Sequence, residues 1–430
     1  ETKLISKNSG VGSMEMSKDG KSIYILGSSP KKLTIAGDKL TNISTSADMQ
    51  LDLAAEREYM FNVVCREESR RFYTEDMHGV DWPALTKNYR QFLPHINNNY
   101  DFANMLSELL GELNVSHTGG RYSPRLPGVV TADLGLFFDW EYQGSGLRVE
   151  EVIEGSPLDI KDSKVEKGVI IEKIDGVEIT PDMDYTTLIN DKANVKTLLS
   201  LYNPFNGERW EEVTKPVSKS VINNLLYERW IKNRAADVER LSNGRLGYVH
   251  IKSMNDGSFR DVYSDILGKY NDKEGIVIDT RFNGGGRLHE DVEILFSGKK
   301  YLTQVIRGRE SCDMPSRRYN KPSIMIQCEA NYSNAHGTPW VYREVGLGKL
   351  VGMPVPGTMT SVSWTTLQDP TLVFGIPIVG YRTNRGNYLE NSQLEPDFKV
   401  ANSPETIIYG LDSQLKVAVE ELLKQIDSQK

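Results

Sequence analysis

The chain has 430 residues, 39% hydrophobic and 26% charged, with a formal net charge of −8 and a pI near 5.5. That length exceeds one compact core and predicts two to four domains, in a composition typical of globular proteins. No apolar run reaches the roughly 18–20 residues of a membrane span, and an acidic chain without a basic stripe is a poor nucleic-acid ligand, because phosphate contacts dominate that affinity.

The opening residues, ETKLISKNSG, show neither an initiator Met nor a signal peptide, so a processed product or the C-terminal part of a longer chain is expected. Residues 13–34 alternate at period two across the turn Ser17 to Gly20, which predicts a hairpin and two or three short strands. Residues 50–115 carry apolar side chains at three- and four-residue spacing and predict a small helical domain, with Asp81 and Asp101 at N-cap positions. Residues 132–218 change to short β-rich runs separated by Gly, Asp and Asn. From about residue 220, continuous apolar strands alternate with helices: GRLGYVHI, GIVIDT, SIMIQC and KLVGM. Such strands belong to a largely parallel sheet buried on both faces. SQLKVAVEELLKQI closes the chain as an amphipathic helix. Cys65, Cys312 and Cys328 lie far apart without zinc-ligand spacing and read as buried free thiols.

Four places carry chemistry. Ser333 follows strand SIMIQC and precedes a helical stretch. A Ser there can aim its hydroxyl out of the sheet beside a helix N-terminus, or simply cap the helix. Residues 275–286, GIVIDTRFNGGG, run a buried strand into three glycines that can present backbone N–H groups. The loop lacks the Gly-Lys-Ser/Thr of a phosphate loop and the spacing of a dinucleotide fingerprint. Ser116-His117-Thr118 offers an imidazole suited to proton transfer near neutral pH. No two of the six His stand at zinc-site spacing. Glu390, in YLENSQLEPDF, is placed either to orient a base or to sit solvated in a loop.

The order of these pieces is more specific than any one of them. A helical stretch ending in GELNVSHT, a β-rich module, DTRFNGGG, a strand and Ser, GLGKLVG, then ENSQLEPD resembles the tricorn peptidases and the related carboxyl-terminal processing peptidases, over roughly residues 55–425. MHGVDWPALTKNY and LSELLGELNVSHTGG are similar to the tricorn helical domain.

The resemblance implies a multidomain α/β protein. Residues 1–48 would be the remnant of a preceding β-propeller-like domain plus linker, and 49–125 a small helical domain with the Ser-His pair. Residues 130–218 would be a PDZ-like β-rich module, whose carboxylate-binding loop is Leu134, Gly135, Leu136 and Phe137. Residues 219–430 would be a ClpP/crotonase-like α/β catalytic core with a largely parallel sheet.

Aligning NYSNAHG on its Asn and Tyr puts the nucleophile on Ala335. Anchoring on Glu329 and Gly352 puts it on Ser333, and the distance from Ser333 to Gly352 then needs no gap. The lysine base of the processing peptidases falls on Thr358, and Lys349 lies too early, so a Ser/Lys mechanism is disfavoured. The resemblance then implies Ser333 as nucleophile and His117 as base, with Ser116 bridging to Glu390. Oxyanion donors would be Gly285 or Gly286 and Asn334. It implies a peptide or unfolded-protein substrate, no cofactor or metal, and a homo-oligomer, since relatives form hexameric rings. His336, Thr338 and the stretch Val355-Pro356-Gly357 depart from the tricorn pattern around the site. The competing reading is an inactive peptide-binding protein on a peptidase fold. An α/β-hydrolase is disfavoured, because Ser333 lacks the G-x-S-x-G elbow.

Overall fold

The computed structural model describes residues 11–44, 46, 48–124 and 128–429. The reading of residues 1–10 therefore lies outside the described residues. The chain divides into two compact units, Glu1–Glu58 and Tyr59–Lys430.

The first unit holds a four-stranded antiparallel meander: β1 (Val11–Met16), β2 (Ser22–Gly27), β3 (Lys31–Thr34) and β4 (Lys39–Asn42). The predicted turn is present. Gly20 donates its N–H to the Ser17 carbonyl at 2.8 Å, with a φ of 69° that suits glycine.

In the second unit, three helices come first: α1 (Leu53–Arg71, which begins in the first unit), α2 (Trp82–Arg90) and α3 (Asn99–Gly111). Asp81 caps α2, accepting from the Ala84 N–H at 3.0 Å. Asp101 does not cap α3. Asn98 does, accepting from the Asp101 N–H at 2.9 Å, while the Asp101 carboxylate accepts from the Asn98 side-chain amide at 2.7 Å. The helix starts three residues earlier than predicted because Asn98 satisfies the Asp101 N–H, while the Asp101 carboxylate holds the Asn98 side chain in place. After α3 the chain forms β5 (Gly119–Tyr122).

The β-rich stretch comprises β6 (Ala132–Asp133), β7 (Leu136–Phe138), β8 (Leu147–Val152), β9 (Ile170–Ile174), β10 (Val177–Glu178), β11 (Thr197–Tyr202), β12 (Arg209–Thr214) and β13 (Val217–Ser218). Its main sheet runs β12-β11-β9-β8-β7. The alternating side chains of β11 (Thr197, Leu199 and Leu201 in; Leu198 and Ser200 outward) close a separate apolar core with Val149, Ile171 and Ile174.

The last part alternates strand and helix: α4 (Lys219–Leu241), β14 (Leu246–His250), α5 (Asp256–Ser264), β15 (Gly275–Asp279), α6 (His289–Phe296), the hairpin β16 (Leu302–Ile306) and β17 (Arg309–Met314), β18 (Ser323–Gln327), α7 (Asn334–Glu344) and β19 (Lys349–Gly352). Then come β20 (Thr360–Thr366), β21 (Leu372–Gly380), β22 (Phe398–Lys399), α8 (Pro404–Ile408) and α9 (Ser413–Ser428). Strands β14-β15-β18-β19-β22 form one sheet, and every pair in it is parallel. Its five-residue strands β15 and β18 are buried throughout, around the apolar centres Ile276–Ile278 and Ile324–Ile326. One face packs on α5, α6 and α7, the other on α4 and α9.

A third sheet, β20-β21-β5, ties the helical stretch to the far end of the chain. Leu372, Phe374 and Ile376 of β21 share a core with Phe61, Phe102, Leu106 and Leu109 of the helices. The three cysteines are free, but only Cys328 is buried; Cys65 and Cys312 are half-buried, a correction to the expectation. No helix among the described residues is long and apolar enough to cross a membrane.

Candidate active site

In an open parallel sheet, connections leaving the C-terminal strand ends converge on one edge. Here β15 delivers the glycine loop and β18 delivers Ser333 to that edge. The loop and the serine are in contact. A Cβ on Gly285 would lie 2.6 Å from Ser333 Cβ and 2.8 Å from the Tyr332 carbonyl oxygen, so only glycine fits. The Tyr332 N–H donates to the Asn283 carbonyl at 3.1 Å.

Ser333 has φ 57° and ψ −125°, outside the regions open to non-glycine residues. Such a conformation costs on the order of 1–3 kcal/mol and is found where surrounding structure enforces it. Its N–H donates to Thr358 Oγ1 at 3.1 Å, and its carbonyl accepts from the His336 N–H at 2.8 Å. Ser333 stands at the N-cap position of α7 but makes no side-chain cap bond, so capping does not account for it. Ala335, the serine's competitor in the other register, is fully buried within α7.

The segment with Ser116 and His117 enters from the turn between α3 and β5. Gly119 of β5 stands opposite Gly375 of β21. A Cβ on Gly375 would lie 2.5 Å from the His117 carbonyl oxygen, so the missing side chain lets this turn pass. Ser116 Oγ donates to Glu390 Oε2 at 3.0 Å, and the Ser116 N–H donates to Glu390 Oε1 at 2.5 Å. His117 Nδ1 lies 2.8 Å from Ser116 Oγ and 3.1 Å from Thr360 Oγ1. With the Ser116 hydroxyl proton given to Glu390, its lone pair accepts Nδ1–H, which leaves Nε2 as the basic nitrogen. Among the described residues neither Nε2 nor Ser333 Oγ has a hydrogen-bond partner.

Burial, and then the nearby Arg121 charge, depress His117 to about 4. The imidazole is therefore neutral at pH 7, the state a base needs. Burial raises Glu390 above the usual carboxylate range, opposed by its two hydrogen bonds from Ser116. Gly357, in the departing stretch Val355-Pro356-Gly357, packs where a Cβ would meet the Ser392 backbone N at 2.1 Å, and accepts from the Asn391 N–H at 2.8 Å. That stretch thus holds the loop of Glu390.

The oxyanion expectation needs one correction. The Gly285 N–H already donates to Asn283 Oδ1 at 2.8 Å, because the buried Asn283 side chain braces the loop. Gly286 and Asn334 keep backbone N–H groups with no internal partner among the described residues. The Asn334 side chain accepts from the Leu288 and His289 N–H groups at 2.8 and 3.1 Å, joining the start of α6 to α7. His336 is fully buried with neither ring nitrogen bonded, and burial depresses it to about 4. Thr338 Oγ1 donates to the Asn334 carbonyl at 2.8 Å.

Two residues around His117 escaped the sequence reading. Tyr332 Oη accepts the His117 N–H at 2.8 Å, and Thr360 bonds its ring nitrogen. Adjacency to Ser333 was the only signal for Tyr332; Thr360 had none. Thr358, considered as the lysine position, does sit beside Ser333. Lys349 lies exposed and paired with Asp397 at 3.5 Å.

Away from this cluster, Leu134 and Leu136 are buried and Phe137 is partly exposed at the end of the β-rich sheet. The Gly135 N–H donates to Asp133 Oδ1 at 2.8 Å. Beside them lies a cavity of about 340 Å³ whose lining includes Leu134, Leu136, Phe138, Tyr185, Ile189 and Lys219. A larger cavity of about 650 Å³, between α4, β14 and α5, includes none of Ser116, His117, Ser333 or Glu390. No group of three His, Cys, Asp or Glu among the described residues is arranged to hold a metal.

Two family models match the chain: Peptidase family S41 over residues 245–400 and the Tricorn protease C1 domain over residues 53–111. The chain is 26% identical to tricorn protease homolog 1 of Streptomyces coelicolor over 94% of its own length and 40% of that protein. It is 23% identical to the tricorn protease of Thermoplasma acidophilum over 86% of its length and 34% of that protein. The chain thus spans well under half the length of these relatives. Its fold is similar to the crystal structure of the tricorn protease, with a TM-score of 0.80, 19% identity, and coverage of 97% of this chain and 42% of that one.

Proposed function

We propose that this chain, which belongs to the tricorn-type peptidases of family S41, cleaves peptides or unfolded polypeptides as a serine endopeptidase through Ser333, His117, Ser116 and Glu390. The observation that carries this reading is the run Glu390–Ser116–His117, hydrogen-bonded end to end. It crosses more than 200 positions of sequence to meet the loop of Ser333 through the His117 N–H and Tyr332 Oη.

In the proposed reaction, Ser333 Oγ attacks the peptide carbonyl carbon as its proton passes to His117 Nε2. Negative charge on the carbonyl oxygen is met by the N–H groups of Gly286 and Asn334, the latter at the positive end of α7. The C–N bond then breaks as Nε2 returns the proton to the leaving amine. Water, deprotonated by the same nitrogen, hydrolyses the acyl-serine ester. Glu390 and Ser116 keep Nδ1 protonated and the ring oriented. The PDZ-like segment, with its cavity beside Leu134 and Leu136, is proposed to hold the substrate's chain terminus by strand addition. Association of copies, as in ring-forming relatives, belongs to the same proposal.

A fluorophosphonate probe tests it. The native chain should be labelled, and Ser333→Ala should not. A folded native chain that stays unlabelled would sink the catalytic reading and leave peptide binding as the function.

A further inference from the structure

We infer that Tyr332 is a positioning residue that sets the base against the nucleophile, an inference that rests on the catalytic reading of His117 and Ser333. Three contacts support it. Its hydroxyl accepts the His117 backbone N–H at 2.8 Å. Its ring lies against the imidazole, with centroids 4.6 Å apart and an interplanar angle of 41°. Its own backbone bonds the glycine loop, through N–H to the Asn283 carbonyl at 3.1 Å. One side chain thus touches the base, and its main chain joins the nucleophile to the loop of the proposed oxyanion donor.

The need for such a strut follows from how the base is carried. His117 has φ 63°, a left-handed conformation that is uncommon for residues other than glycine, though histidine tolerates it better than most. It lies on a turn between a helix and a short edge strand, and no hydrogen bond ties its ring directly to Ser333. Ser116 and Thr360 fix Nδ1, which sets the tautomer and one end of the ring. They do not set the height of the ring above the nucleophile. The Tyr332 hydroxyl does so by holding the backbone at His117, and the Tyr332 ring covers one imidazole face. The charged groups acting on this imidazole are Arg121 of β5 and, through Ser116, Glu390.

The two contacts separate by mutation. Tyr332→Phe keeps the ring and removes the acceptor of the His117 N–H. It should lower kcat about tenfold, in line with one lost hydrogen bond, with KM within about twofold and the acid limb of the pH profile unmoved. Tyr332→Ala also uncovers the imidazole face. It should lower kcat further and move the acid limb upward, toward the ordinary histidine value near 6.5. A residue that served only folding would lower the amount of folded enzyme and leave the limb in place. An independent reading comes from NMR titration of ¹³C-labelled histidine in the Ser333→Ala background. There the His117 pKa should rise in Tyr332→Ala and stay put in Tyr332→Phe. If both Tyr332 variants match wild type in kcat, or if the His117 titration is unchanged in Tyr332→Ala, the positioning role is overturned. An unlabelled native chain would overturn the catalytic reading itself, which the Ser333→Ala comparison registers separately.

Discussion

Ser333 and His117 show how a single residue's role depends on its surroundings. A serine before a helix is ordinarily a cap, but here its backbone conformation and its unbonded hydroxyl fit a nucleophile better. His117 illustrates the sign of a pKa shift. Burial favours the uncharged imidazole, so its value falls to about 4. The free base therefore exists at all pH above about 4 and is lost only as pH drops through that value. The acid limb of kcat/KM should accordingly lie near pH 4 rather than 6.5, and His117→Ala should lower kcat/KM by roughly a thousandfold or more. A pH–rate profile of the native enzyme checks the first, and steady-state kinetics the second. The sequence could single out Ser116, His117, Ser333 and Glu390 because each stands in a recognisable motif. Tyr332 and Thr360 stand in none, and their contacts exist only once the chain is folded.

Among elements, the helices and the buried parallel strands were legible because their periodicity or continuous apolar character is written locally. The start of α3 was misplaced because three polar residues, Asn97, Asn98 and Asn99, precede Asp101, and the pairing of Asn98 with Asp101 decides which one caps. Strand β5 was missed for another reason. Its four residues include two glycines and no alternation, and it becomes a strand only by pairing with β21. That pairing positions the turn of His117, and Gly375 lies against its carbonyl. Gly375→Ala would drive a Cβ into the His117 carbonyl and the Trp364 ring. It should destabilise the fold by about 1–3 kcal/mol, as overpacking does, and should reduce probe labelling by more than the loss of folded protein explains. Thermal melts read alongside labelling rates separate the two effects.

Across the second unit, the parallel sheet carries Ser333 and the glycine loop, while the helical stretch leads into the turn of His117. The two are not independent bodies, because β21 contributes Leu372, Phe374 and Ile376 to the helical core. A chain beginning at residue 128 would expose that strand's apolar face and lack His117. It should be poorly soluble and unlabelled by the probe; efficient labelling of such a truncation would contradict the assignment of the base. The sequence alone determined the order of segments, the parallel character of the central sheet and the residue types available for chemistry, since these depend on local pattern and composition. Only the tertiary structure decided that Glu390, Ser116 and His117 bond in series, that Gly285 gives its N–H to Asn283 while Gly286 has no N–H partner among the described residues, and that Tyr332 Oη meets the His117 N–H. The Glu390–Ser116 and His117–Tyr332 bonds join groups 274 and 215 positions apart, and the local ones depend equally on a geometry that packing sets and that leaves no periodic trace in the chain.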